Sequence, residues 1–90
     1  MKPEDLPIDV KLIQLAEEAA ELSQACLKLV RCMHGDTPVP EMDAKIHLLE
    51  ELADVALCSK VITSKVDDRI VKGIMMQKAK RWEERLNGKT

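Results

Sequence analysis

Aromatic side chains are almost absent from this 90-residue sequence, which contains Trp82 but neither phenylalanine nor tyrosine. Hydrophobic residues still make up 46% of the chain, so its core must be aliphatic, a composition that suits helix packing and self-association. A chain of this length is expected to form one domain, residues 1–90. Because so short a chain buries only about 60% of its unfolded surface, a lone monomer is expected to be marginally stable.

An excess of basic residues is also lacking. The chain has 14 Lys and Arg against 16 Asp and Glu, for a net charge of −2. Nucleic-acid binding depends on a basic surface that neutralises phosphates, so this balance argues against it. An anionic ligand would need a metal ion to mediate its binding.

Neither paired cysteines nor a long apolar run is evident in the sequence, and we expect no leader. Cys26, Cys32 and Cys58 are odd in number, show no CxxC spacing and fall at apolar helical positions, which predicts small buried side chains in a reducing compartment. The opening "MKPEDLPIDV" is too acidic and too proline-broken for a signal peptide, and no apolar run approaches ~20 residues. We therefore expect a cytoplasmic protein that does not enter the membrane.

The alternating pattern of a β-strand is absent, and three helical segments predict an all-α fold. The first predicted helix opens after Pro7 and runs to about Met33, the second runs from about Asp43 to Ser64 or Lys65, and the third follows Asp67 or Asp68 and ends near Leu86. Asp9 is expected to cap the first helix and Gly35 to end it, while Asp67 or Asp68 is expected to cap the third. Two prolines interrupt the first connection, "GDTPVPEMD".

Acidic residues are concentrated on one side of the first helix. At ~100° per residue, Glu17, Glu18 and Glu21 fall within an arc of ~100°, and apolar residues occupy the broad opposite side. Taken alone, this pattern is typical of the solvated face of an ordinary amphipathic helix.

The second helix changes this interpretation, because "LLEELADVALC" places Glu51 and Asp54 one turn apart among apolar residues. Carboxylates brought into such a partly buried seam are destabilising unless a cation compensates them. Two antiparallel helices that each offer an acidic pair, Glu18 with Glu21 and Glu51 with Asp54, can converge four oxygen ligands on one point. Oxygen-only ligation suits Mg²⁺, with Mn²⁺ as a substitute.

The segments "EEAAE" (17–21) and "ELAD" (51–54) together resemble the EExxE…ExxD signature of the MazG-like all-α nucleotide pyrophosphohydrolases. The resemblance implies hydrolysis of a nucleoside triphosphate to the monophosphate and pyrophosphate. The four acids named above would hold the metal, and Glu17 would complete the coordination or orient the attacking water as a base.

The segment "QKAKRWEERL" places basic residues where that family carries Lys and Arg. Lys78 and Arg81 share a face of the third helix and can reach phosphate oxygens. The alternative is that they cover the core and pair with Glu83 or Glu84. Both interpretations of these two residues remain open at this stage.

Assembly follows from the second helix, which is apolar almost all round and cannot be covered by the helices of one short chain. We expect at least a homodimer with a four-helix-bundle core, with a tetramer as a further possibility. The competing hypothesis is a non-enzymatic helical module that oligomerises or docks on a partner. A di-iron bundle is disfavoured, because such bundles use Glu-x-x-His pairs and residues 31 and 44, three before each histidine, are Arg and Ala.

Overall fold

The computed structural model describes residues 1–88 and confirms the all-α class. Its elements are a 3₁₀ turn, Pro3–Asp5, and three helices, α1 (Ile8–Met33), α2 (Glu41–Ile62) and α3 (Lys65–Leu86). No β-strand occurs within the described residues. Across the same residues, no helix combines the length and the apolarity that a membrane crossing needs.

Both ends of α1 were predicted correctly, after Pro7 and near Met33, whereas its cap was not. The N-cap position is Pro7, which offers no side-chain cap. Asp9 instead lies in the first turn, where its negative charge favours the helix N-terminus. At the other end, Gly35 has φ 70°, and its N–H donates to the Cys32 carbonyl at 3.1 Å. Glycine is suited to this position because a left-handed conformation carries no Cβ penalty there.

The junction between α2 and α3 lies earlier than the sequence predicted. Ser64, not Asp67 or Asp68, caps α3: its hydroxyl accepts from the Asp67 N–H at 3.0 Å. The Asp67 carboxylate in turn accepts from the Ser64 N–H at 3.1 Å, which completes a capping box. This reciprocal pair moves the boundary, so α2 ends at Ile62 and only Thr63 and Ser64 separate the two helices.

An antiparallel hairpin of α1 and α2 forms the packed part of the molecule. Most of the less exposed residues recur at alternating spacings of three and four, which is the pattern of a coiled-coil seam. On α1 these seam positions are Leu15, Glu18, Leu22, Ala25, Leu29 and Cys32. On α2 they are Ala44, Leu48, Glu51, Val55, Cys58 and Ile62. Two of the twelve seam positions are therefore glutamates.

Little apolar surface is fully covered by this hairpin. Among the hydrophobic residues of the described range only Ala25 and Ala44 are buried, whereas Leu49 and Leu52 on the outer side of α2 are 54% and 45% exposed. The expectation of three buried cysteines was wrong for Cys26, which is exposed, while Cys32 and Cys58 are half-buried. Cys26 lies outside the seam, on a side of α1 that no element of this chain covers.

The third helix makes no extended contact with the hairpin. The molecule measures 43 × 43 × 17 Å, and two equal long dimensions mean that α3 leaves the hairpin at a steep angle. All of its apolar side chains are consequently exposed.

Candidate metal centre

Three carboxylates from the two packed helices meet at one point of the seam. One carboxylate oxygen each from Glu18, Glu51 and Asp54 can be chosen so that all three lie within 4.8 Å of one another. We call these three residues the acidic cluster. Within residues 1–88 it is the one group of three or more potential metal ligands.

The helical spacing explains how the cluster forms. Glu18 and Glu51 occupy seam positions on facing helices, so each side chain points at the other helix rather than at water. Asp54 follows Glu51 by three residues and therefore lies one turn along the same side of α2. The convergence expected from two acidic helices is thus present for three of the four predicted ligands.

The buried oxygens of the cluster lack protein partners. Glu51 is only 8% exposed, and the Oε2 atoms of Glu18 and Glu51 are both shielded from solvent without a hydrogen-bond partner. A shielded polar atom of this kind is destabilising, more so when it carries charge. Two such oxygens on opposite helices, with a third carboxylate beside them, fit a hard divalent cation such as Mg²⁺ or Mn²⁺.

The electrostatics of Glu18 show the strain of the cluster without a cation. Burial raises the pKa of the Glu18 carboxyl above its ordinary value, and the negative charges of Glu21 and Asp54 raise it further. A hydrogen bond from Gln14 Nε2 to Glu18 Oε1 at 2.9 Å acts in the opposite direction and lowers this pKa. The folded chain thus makes the ionised form of Glu18 harder to reach.

Glu21 and Glu17 lie outside the three-residue cluster. Glu21 is exposed, yet it is close enough to affect the pKa of Glu18, so it borders the site on α1. Glu17 is also exposed and faces the solvent side of the same turn. The roles expected for these two residues stay predictions.

Two neighbours on α2 modify the surroundings of the cluster. His47 Nε2 lies 3.9 Å from Glu51 Oε1, and His47 Nδ1 lies 4.0 Å from Glu50 Oε2. These separations are too long for hydrogen bonds, so the imidazole lies near both carboxylates without bonding to either. Burial raises the pKa of the Cys58 thiol, and the charges of Glu18 and Asp54 add to this effect.

A cavity of about 320 Å³ opens directly beside the acidic cluster. The 3₁₀ turn, α1 and α2 all contribute to its wall, with the residues Pro3, Leu6, Lys11, Gln14, Glu18, Asp54, Leu57, Cys58 and Val61. Lys11 Nζ donates to the Glu4 carbonyl at 2.6 Å, which ties the N-terminal turn to α1. The volume falls at the lower end of the range of small-molecule pockets.

Sequence reasoning missed both this wall and the role of Gln14. The Gln14–Glu18 pair has the i, i+4 spacing at which helical side chains meet, and that signal was available. No signal in the sequence placed the segment before α1 against α2.

The two basic residues expected to hold phosphates lie away from the acidic cluster. Lys78 and Arg81 are exposed on α3, which does not pack on the hairpin. Both interpretations of these two side chains, phosphate binding and covering the core, stay predictions.

Comparison with known proteins finds no family model, no curated protein and no solved structure that matches this chain.

Proposed function

We propose that this protein is a metal-dependent nucleotide pyrophosphohydrolase, which converts a nucleoside triphosphate and water to the monophosphate and pyrophosphate. The observation that carries the proposal is the acidic cluster, in which two shielded carboxylate oxygens on opposite helices have no partner. The resemblance of residues 17–21 and 51–54 to the signature of the MazG-like enzymes supplies the reaction class.

In this proposal the acidic cluster, together with Glu21 at its border, holds Mg²⁺, and Mn²⁺ can substitute for it. Once bound, such an ion neutralises phosphate charge and lowers the pKa of a coordinated water. In-line phosphoryl transfer asks little more of a protein than positioning and charge neutralisation. Glu17, exposed beside the cluster, completes the coordination or orients the attacking water as a base.

The cavity beside the cluster gives the substrate a place to bind. Its wall joins two carboxylates of the cluster to the apolar side chains of Leu6, Leu57 and Val61. We assign the apolar part of this wall to the nucleoside, because it borders the carboxylates that would hold the metal, through which the phosphates would bind. Lys78 and Arg81 contribute positive charge for the phosphates, with Arg able to bind two oxygens at once.

The proposal includes a homo-oligomer, at least a dimer. The outer side of α2 exposes Leu49 and Leu52, and α2 also packs on α1 through its seam side. A helix that is apolar on both sides is ordinarily buried on both sides. A second hairpin packed on this outer side would make a four-helix core.

The exposed apolar surface also favours a second candidate, a helical module without catalytic activity that oligomerises or docks on a partner. In that case the acidic cluster would have no ligand, and substitutions in it would leave metal affinity unchanged.

A nucleotide screen distinguishes the two candidates. All common NTPs and dNTPs are incubated with the protein and Mg²⁺ or Mn²⁺, and pyrophosphate is measured separately from orthophosphate. We expect pyrophosphate release from the wild type, near-complete loss in Glu51→Gln, and no loss in Glu50→Gln. Glu50 is the matched control, because it is the adjacent glutamate but its side chain is 69% exposed. Absence of pyrophosphate release with every nucleotide and both metals would contradict the proposal.

A further inference from the structure

The position of α3 relative to its own hairpin leaves the candidate site incomplete. Asp54 lies eight residues before the end of α2, or ~12 Å, and Lys78 lies 14 residues beyond Ser64, or ~21 Å. Because the two helices diverge at a steep angle, the two side chains of one chain are separated by roughly 24 Å if that angle is a right angle. This distance is several times the length of a lysine side chain.

The surface area of the chain indicates that something covers it. A compact monomer of 10.1 kDa exposes about 5,300 Å², whereas this chain exposes 7408 Å². Its radius of gyration is 16.6 Å, against about 12 Å for a compact domain of this length. The excess of roughly 2,000 Å² per chain is of the size that obligate homodimers bury.

The charges of the two parts of the chain are opposite. Residues 1–64 carry 12 acidic and 6 basic side chains, a net charge of −6, whereas α3 carries 4 acidic and 7 basic side chains, a net charge of +3. Attraction between α3 and a hairpin is therefore favourable, while α3 makes no extended contact with its own hairpin. A second copy of this chain supplies a hairpin of the required charge.

One side of α3 combines apolar and basic groups in the pattern of a packing face. Val71, Met75, Lys78 and Trp82 follow one another at spacings of four, three and four. Trp82 is 63% exposed and Met75 62% exposed, so this face has no partner among residues 1–88. Lys78 lies in the middle of this face, and Arg81 lies one turn away. Any surface that packs on the face would therefore come close to both positive charges.

From these observations we propose that α3 is exchanged between two copies of the chain, so that Lys78 and Arg81 of each copy lie beside the acidic cluster of the other. The candidate site is then composite, with the carboxylates of one copy facing the cations of its partner. The assignment of these cations to phosphates rests on the proposed function, whereas the exchange of α3 does not. In a two-fold dimer the exchange occurs twice and produces two equivalent sites.

Zero-length cross-linking tests the exchange without metal, nucleotide or turnover. Unlabelled and nitrogen-15-labelled wild-type copies are refolded together in equal amounts and treated with a carbodiimide, and peptides that join α3 lysines to hairpin carboxylates are analysed by mass. We expect cross-links from Lys78 to the region of Glu18 or Asp54, roughly half of them between labelled and unlabelled chains. The Asp68–Lys72 pair, 3.0 Å apart within α3, is an internal control that yields only cross-links of one isotope.

Two results would overturn the proposal. Cross-links from Lys78 to the hairpin that join only chains of one isotope would show that α3 folds back on its own hairpin. Absence of any cross-link from Lys78 to the hairpin, while the Asp68–Lys72 control forms, would show that a second copy of the chain does not cover α3.

Complementation then tests whether the composite site is functional. Asp54→Ala copies are mixed with copies that carry both Lys78→Ala and Arg81→Ala. With exchanged helices, each mixed dimer contains one intact site, so activity recovers from near zero to roughly a quarter of the wild-type level. No recovery, with both variants folded and assembled, refutes the composite site. The wild-type protein could form mixed-isotope cross-links and yet release no pyrophosphate. This result would support the exchange of α3 and contradict only the proposed function.

Discussion

Removing one charge from the acidic cluster should stabilise the metal-free protein, which is the reverse of what most substitutions of buried residues do. Glu51→Gln keeps the size of the side chain and removes the charge from a residue that is 8% exposed. Leaving a buried polar group without a partner costs about 1–3 kcal/mol. Since the amide remains polar, we expect a gain of about 1–2 kcal/mol rather than the whole cost, with each kcal/mol raising the melting temperature by roughly 4–8 °C.

The assay is thermal unfolding by circular dichroism in a chelator, at one fixed chain concentration, because assembly makes the melting temperature concentration-dependent. Glu50→Gln makes the same chemical change at an exposed position and should leave the melting temperature nearly unchanged. Adding metal should reverse the order. Wild type gains about 2.7 kcal/mol at a metal concentration 100 times the Kd, while Glu51→Gln gains little.

Two results would refute this reasoning. A metal-free Glu51→Gln protein that melts no higher than wild type would show that the cluster is not under repulsive strain. An equal response to metal in Glu51→Gln and wild type would show that Glu51 does not hold the ion.

Further expectations concern pH, kinetics, assembly and thiol chemistry. Because the pKa of Glu18 is raised in the folded state, its contribution to stability is fully present below about pH 4.5 and is lost as pH rises through the raised value. The urea midpoint of metal-free Glu18→Gln should therefore exceed that of the wild type by a margin that grows above pH 4.5. Profiles of urea midpoint against pH that run parallel in the two proteins would contradict this. Asp54→Ala should nearly abolish turnover at saturating nucleotide, whereas Lys78→Ala should weaken nucleotide affinity and turnover but keep metal binding in titrations without nucleotide; unchanged kinetics in Lys78→Ala would remove its phosphate role. Light scattering should report at least a dimer at micromolar concentration, and a stable monomer would remove the inferred assembly. Since the pKa of the Cys58 thiol is raised, it should react more slowly with iodoacetamide at mildly alkaline pH than the exposed Cys26; equal rates would argue against the charged surroundings of Cys58.

The sequence predicted the hairpin and most of its acidic cluster because both depend on local spacing. Hydrophobic periodicity indicates a helix whatever surface that helix packs on. A glycine just after a helix usually adopts the left-handed conformation that ends it, so the end of α1 was predicted correctly. Glu18, Glu51 and Asp54 were brought together by reasoning that two acidic turns on packed helices converge. The start of α3 was misplaced because Ser64 and Asp67 form a capping box, and the sequence reading had Asp67 or Asp68 cap the helix instead.

The features that the sequence did not predict depend on contacts between distant segments. The 3₁₀ turn reaches the wall of the cavity through tertiary packing, which leaves no periodic trace in residues 1–7. The direction of α3 depends on the backbone conformation of Thr63 and Ser64, which connect it to α2. The identity of these two residues does not predict the angle between the two helix axes. The apolar stripe of α3 was visible in the sequence, but periodicity does not identify the surface that covers a stripe.

The two glutamates in the seam, Glu18 and Glu51, affect how α2 is aligned along α1. Apolar side chains recur every three or four residues along both helices, so sliding α2 along α1 by one heptad would still set apolar rows against each other. The carboxylates mark the observed alignment, because in it Glu18 lies against Glu51 and Asp54. Without a cation this alignment brings like charges together, and with one it gains a cross-link between the helices. Metal concentration should therefore influence which alignment the chain adopts during folding, in addition to how strongly the finished structure holds together.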